Sequence, residues 1–416
     1  AADPGVAVYA DNVYTSSTTE AGKDPLFVER TEILRGPQGT LYGRNSIGGA
    51  INVISKRPTD EFSAEIRGSV ANYDRTQFSM LLRGPLNDNV RYLIGVSSLD
   101  QKEGYFTNVS GGPDEGGVAD DQFYTAQLEA NFGNFDFWLK YQRSTWDQSR
   151  RSLTRPNPYD TDMGLNGLGV GTALLPTGSL GPSALYNTGV GNFLGTNYPL
   201  FPAAQQYTAA NPGVTDNREF RTNTPFQATL DDNDNLALDM TYHFDGVDLR
   251  YTGGRQHYIY EQQSDFDATD REFYDYTDPF FFRTARIYNT SIQNYKEDKT
   301  WSSHEVNLSS TNESSVQWLV GLYKFREEYS QPVTIYNPDQ ANLATPCIST
   351  NFFSCAPGVY TPSNPDQVYY SANTDMDDSH SQAIYTSINW DVTDRWSTAV
   401  GLRYTKDYKS LVESTR

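Results

Sequence analysis

Long apolar runs are missing from this chain of 416 residues: mean hydropathy is −0.63, and no stretch approaches the roughly 20 apolar residues of a membrane-spanning helix. A helical membrane protein is excluded. Basic residues are also short, 32 Lys and Arg against 52 Asp and Glu, for a formal charge of −20. Phosphate backbones are bound through excess Lys and Arg, so nucleic acid is excluded as the natural partner. Cysteine is nearly absent. Cys347 and Cys355 suit either a small disulfide-closed loop in an oxidising compartment or two unrelated thiols. The four histidines, His243, His257, His304 and His380, show no paired ligand spacing, so no resident metal or other cofactor is expected. No Ser-His-Asp or Cys-His set flags a nucleophile, and no enzymatic activity is expected.

Aromatic residues, by contrast, are abundant, with 29 Tyr, 21 Phe and 6 Trp. Disordered chains are poor in them, which excludes disorder. A β-barrel in an outer membrane survives the hydropathy test, because its strands are apolar on one face only and average as hydrophilic. Period-two alternation is indeed widespread. It runs through Phe62, Ala64, Ile66, Gly68 and Val70, against polar Ser63, Glu65, Arg67 and Ser69. It recurs around 78–82, 90–96, 124–132, 135–141, 236–244, 247–251, 306–308, 316–322, 384–390 and 396–404, about eleven strands in all.

A soluble sandwich would alternate in the same way, so the connections decide. Tight ones fall at 84–89, 133–134, 245–246, 311–315 and 392–395; long ones fall at 100–121, 149–233, 264–299 and 334–379. Only the connection at 73–75 is short on the long side. Short turns on one rim and long loops on the other are the pattern of an outer-membrane barrel. Such barrels have an even strand number, and eleven strands would leave an open edge. The expectation is therefore an all-β transmembrane barrel seen in part, about eleven strands of a larger even number, in a chain cut at both ends.

Residues 28–58 are not barrel-like. They read as a short strand (31–34), a Gly-Pro turn, a helical turn or loop around 38–42, a glycine-rich bend at Gly48-Gly49 and a strand at 50–55. The run Leu34-Arg35-Gly36-Pro37 with Leu41-Tyr42-Gly43 and Gly48-Gly49-Ala50-Ile51-Asn52 closely resembles the second half of the plug domain of TonB-dependent outer-membrane receptors. Upstream, residues 6–14 look like the plug strand that enters an apical loop. A phosphate-cradling loop would need Lys and Ser or Thr after Gly48, where Gly49-Ala50 stand. Tight turns explain the same glycines and are compatible with a plug.

The resemblance implies an α+β plug fragment over 1–58 and, over 59–416, the first half of a barrel of 22 strands, the number of plugged outer-membrane transporters. It implies active import of a scarce solute into a Gram-negative bacterium. A ferric siderophore is the family's default, with oligosaccharide, haem or cobalamin as alternatives, and a passive porin is the rival class. Partners are the inner-membrane TonB complex and outer-membrane lipid, with iron entering only as part of the solute. Arg35 is either a solvated strand-end charge or, by resemblance, the arginine that faces wall carboxylates. Residues 14–23 would form an outward plug apex, with Tyr14, Ser16 and Ser17 as solute contacts. Tyr274, Phe280, Phe281 and Phe282 belong to an aromatic loop that suits either the rim girdle or a ligand platform. The acidic run 231–235 reads as a solvated loop end ahead of a strand, with a calcium site as the minority reading, since the Gly and Glu of an EF-hand loop are replaced by Leu236 and Tyr242.

Overall fold

A computed structural model describes residues 5–15, 24–36, 46–149, 218–220, 222–265, 292–336, 368–393 and 395–415, with four short strands between them. No helix occurs among the described residues, and the expected helical turn at 38–42 lies outside them. Two sheets dominate. The first has the order β2-β1-β4-β3, built from β1 (Val6–Ala10), β2 (Val13–Thr15), β3 (Val28–Arg35) and β4 (Gly49–Ser55). β1 runs parallel to β4, while β2 and β3 pair antiparallel.

The expected single strand at 6–14 is instead a hairpin. Asp11 and Asn12 both take positive φ, 51° and 68°, which makes the two-residue turn whose twist matches antiparallel strands. Asp and Asn are the non-glycine residues that best tolerate this region, so the sequence allows the reversal. The glycine-rich bend has an equally local cause. Gly49 sits at φ +146°, and a Cβ there would lie 2.4 Å from the Leu34 carbonyl oxygen.

The second sheet has eleven strands, the number that the alternation predicts. They are β5 (Ser63–Ala71), β6 (Arg75–Asn87), β7 (Val90–Gln101), β9 (Val118–Phe132), β10 (Phe135–Ser149), β14 (Gln227–Phe244), β15 (Val247–Asp265), β18 (Ile292–Ser310), β19 (Val316–Tyr336), β20 (Val368–Thr393) and β21 (Trp396–Thr415). Each pairs antiparallel with its neighbour in that order, leaving β5 and β21 as the edges. Short pairs decorate the loop side: β8 (Thr107–Asn108) with β13 (Glu219–Phe220), β11 (Val190–Phe193) with β12 (Thr196–Pro199), and β16 (Phe273–Thr277) with β17 (Thr284–Tyr288).

One face of the large sheet is apolar and exposed, as lipid requires: Ile66, Val70, Leu322, Ile384, Trp396 and Leu402 all project there. The strands continue beyond this band. On β19 the outer row Val316, Trp318, Val320, Leu322 passes into Lys324 and Arg326, yet pairing persists to Tyr336. At about 3.3 Å per residue a strand of 21 residues spans roughly 70 Å, over twice the hydrocarbon thickness. The expected loops 100–121, 149–233, 264–299 and 334–379 are accordingly shortened at their ends. Apolar alternation stops where lipid stops, but ladder hydrogen bonds do not.

The acidic run at 231–235 is likewise not a loop end. It lies within β14 at a bulge between Asp231 and Asp234, with Asp232 at φ +50°. Arg143 of β10 bonds Asp232 at 2.6 Å and Asp234 at 3.3 Å, and the Tyr141 hydroxyl donates to Asp234. The carboxylates are held by an arginine. Among the described residues no His, Cys, Asp or Glu group could hold a metal ion.

Candidate functional site: the small sheet and the inner wall

The small sheet packs on the face of the wall opposite the apolar band. Three apolar contacts seat it. Ala7, Tyr9, Tyr14 and Ala50 form one buried cluster with Trp301 of β18 and Phe325 of β19. Val13 meets Trp138 and Ala237, and Leu26 and Phe27 meet Leu81 and Leu93, with Phe123 packed beside them. Two wall glycines make the approach possible: a Cβ on Gly254 would lie 2.8 Å from Val13, and one on Gly95 would lie 2.6 Å from Phe27. Burial, and after it the neighbouring Tyr323, pushes the Tyr9 hydroxyl well above the usual tyrosine range.

Polar contacts fix the orientation. Asp24 accepts from Ser79 Oγ at 2.7 Å and Gln77 Nε2 at 3.1 Å, both on β6, while its other oxygen accepts from the Leu26 N–H. Asp11 is more deeply placed. Its carboxylate accepts from Ser55 N at 2.7 Å, Ser55 Oγ at 2.9 Å and Lys140 Nζ at 2.5 Å. The Asp11 and Lys140 side chains are 0% and 1% exposed, so this is a fully buried ion pair between plug and wall. The chain leaves the plug beside it. Gln127 Nε2 donates to the Lys56 carbonyl, and Lys56 pairs with Glu65 of β5 at 2.8 Å. Burial lowers the Arg57 guanidinium from its ordinary value, against the opposing pull of Asp11, Glu129 and Asp239.

Above the plug the same inner face is aromatic. Tyr258 meets Trp301 edge to face at 5.8 Å, Tyr260 meets Tyr295 at 5.9 Å, and Trp146 meets Tyr260 at 5.8 Å. Two of these tyrosines hold Glu297, which accepts from the Tyr258 hydroxyl at 2.7 Å and from the Tyr295 hydroxyl. Lys299 sits 3.5 Å from Glu327 and 5.4 Å from the Tyr329 ring centre. Chemically this is a half-buried surface of flat apolar faces with two carboxylates and one ammonium, suited to holding a polar solute of some size.

Of the residues expected at the site, Tyr14 is in β2, only 2% exposed, and touches Phe325 edge to face at 5.2 Å. It is a packing residue of the contact between the small sheet and the wall. Ser16, Ser17, Phe280, Phe281 and Phe282 lie outside the described residues, as do Cys347 and Cys355. Tyr274 belongs to β16, in register with Ile287 of β17. Arg35 ends β3 opposite Gly49 and is exposed. Sequence reasoning missed Lys140, Tyr258, Tyr295 and Glu297. The first is one of several polar residues on the inward row of β10, with Asp136, Gln142 and Ser144, and nothing local singles it out. The others lie past the lipid band, where tyrosines at 258 and 260 were the available sign of a continuing strand.

Residues 2–50 match the TonB-dependent Receptor Plug Domain family. The ferrichrome outer membrane transporter/phage receptor of Escherichia coli K12 is 52% identical over 76 residues, covering 18% of this chain and 10% of that protein. The pesticin receptor of Yersinia enterocolitica is 30% identical over 158 residues, 37% of this chain and 22% of that protein. The crystal structure of the ferric yersiniabactin uptake receptor FyuA from Yersinia pestis superposes with a TM-score of 0.60 at 16% identity. That superposition covers 99% of this chain and 52% of the FyuA chain, so the chain spans about half the length of that structure.

Proposed function

We propose that this chain, part of a TonB-dependent outer-membrane receptor, takes up a scarce solute, first of all a ferric siderophore, across the outer membrane of a Gram-negative bacterium. In this reading residues 1–58 are the plug and 59–416 the wall. One observation carries it: a folded four-stranded sheet is seated by a buried ion pair on the inner side of a wall whose outer face is apolar. A passive porin needs its lumen clear, so a seated plug argues against that class. Oligosaccharide, haem and cobalamin import would use the same machinery. A siderophore is favoured by the ferrichrome and ferric yersiniabactin named for two of the similar proteins.

The outer membrane holds no ATP, so the energy for moving the plug comes from a partner, the inner-membrane TonB complex. Solute capture is assigned to Ser16 and Ser17, which follow β2 in the chain, and to Tyr274 and Phe280 to Phe282. Tyr258, Tyr260, Tyr295 and Glu297 of the inner wall are assigned to the same role. A transport role, not catalysis, is proposed, and iron passes through only as part of the solute. The test is iron uptake by a strain lacking the full-length gene, supplied with single ferric chelates, with and without TonB. Uptake restored only when receptor and TonB are both present supports the reading. Uptake that is indifferent to TonB would return the protein to the porin class.

A further inference from the structure

We infer that Lys140 is the positioning residue of the wall that keeps the segment from Val6 to Ser55 seated when the chain ahead of it is pulled. The inference rests on the import reading for its direction of pull and on the geometry around Asp11 for everything else.

Three elements converge on one carboxylate. Asp11 occupies the turn between β1 and β2, Ser55 ends β4, and Lys140 lies on β10. Asp11 accepts both Ser55 donors and the Lys140 ammonium, and Lys140 Nζ is also 3.4 Å from Ser55 Oγ. The Asp11 N–H donates to the Val53 carbonyl at 3.0 Å, so even the turn backbone is tied to β4. All three groups are buried, and water cannot replace the bonds as they lengthen. Breaking one partner of such a pair strands the other charge, which is why a buried pair resists separation far more than a hydrated one.

The strand order sets how a load reaches this point. β1 and β4 are parallel, in register from Val6 opposite Gly49 to Ala10 opposite Val53. A pull on the chain ahead of Val6 is resisted beyond the far end of β4, at Ser55. Those are opposite ends of a parallel pair, so five register pairs are sheared together and not opened one at a time. The Asp11–Lys140 pair stands at the end of that ladder, where the shear is passed to the wall. Asp24 offers no equivalent, since its partners are neutral hydroxyl and amide groups.

The experiment is single-molecule pulling on the full-length receptor in a bilayer, from the N-terminal side of the plug. Wild type, Lys140→Met and the double variant Asp11→Asn/Lys140→Met are compared. The double variant leaves no stranded charge and serves if the single one fails to fold. In wild type the extension should stop short of Val6. In the variants residues 6–55 should follow at the same load, adding about 170 Å at roughly 3.4 Å per residue, at a release rate raised about tenfold or more. If wild type and the double variant release this segment equally fast, Lys140 is ordinary packing and the inference is wrong. The measurement uses neither solute nor TonB, so it stands or falls separately from the uptake test.

Discussion

The guanidinium of Arg57 lies 3.5 Å from the centre of the Trp138 ring, and the same indole N–H donates to Gln127 Oε1 at 3.0 Å. The first residues after the plug sheet are thus stacked on β10 while β9 holds the chain just before them through Gln127 and the Lys56 carbonyl. Trp138→Leu removes the ring face and the indole donor together. A desolvated cation–π contact is worth up to about 2 kcal/mol, and a hydrogen bond about 1 kcal/mol. Protease cleavage at 56–60 in the complete receptor should rise by up to about 140-fold, since the two contributions sum to about 3 kcal/mol and each 1.4 kcal/mol is tenfold, while barrel heat stability barely changes. An unchanged cleavage rate would show that the stack contributes nothing to seating.

Tyr14 gives a prediction of a different kind because it is buried against Phe325 and Tyr9. Tyr14→Ala should leave a cavity costing about 3–5 kcal/mol, by analogy with other aromatic truncations in cores. Its effect on solute binding should come with increased labelling of cysteines placed in the plug. Replacing Phe280, Phe281 and Phe282 by Ser should weaken solute binding to intact cells with no change in plug labelling. Identical behaviour of the two variants would remove the distinction between a packing residue and a capturing loop.

Glu297 and its tyrosines lie above the apolar band on the inner face, where they do not meet lipid, and of them Tyr258 also packs against the cluster of Trp301 and Phe325 that seats the small sheet. Glu297→Gln and Tyr258→Phe should leave the amount of receptor in membranes unchanged. Binding of the transported solute should fall about tenfold, or roughly 1.4 kcal/mol, as expected for one charge-assisted hydrogen bond. Wild-type affinity in both variants would place capture elsewhere on the wall or in the loops.

The facing of β5 is checked by spin labels in the complete receptor. Glu65 accepts from Lys56, which follows the plug, at 2.8 Å, whereas Ile66 is 66% exposed on the apolar side. A label at Ile66 should be quenched by lipid-soluble oxygen and one at Glu65 by a water-soluble reagent, because neighbouring residues on a strand point to opposite faces. Equal accessibility of the two positions to oxygen would overturn the assignment.

The number of strands and the side each presents to lipid were determined by the sequence alone. Hydrocarbon tolerates only apolar side chains, so rows such as Phe135, Phe137, Leu139 and Tyr141 must repeat on every strand, whatever the rest of the molecule does. The plug was legible for a related reason, since Gly49 is required where a Cβ would strike the Leu34 carbonyl. The inward face answers to no such rule. Its residues are chosen by partners distant in the chain, as Lys140 is by Asp11 across 129 positions, and nothing local marks them. The upper wall escaped for want of a solvent contrast, because strands standing in water on one face need no apolar alternation to stay paired. Only the tertiary structure decided that residues 6–14 turn back at Asp11 and that Asp232 and Asp234 serve an arginine. Both follow from the same fact: a carboxylate buried or crowded in a fold is placed by the cation that reaches it, and which cation reaches it is settled by packing.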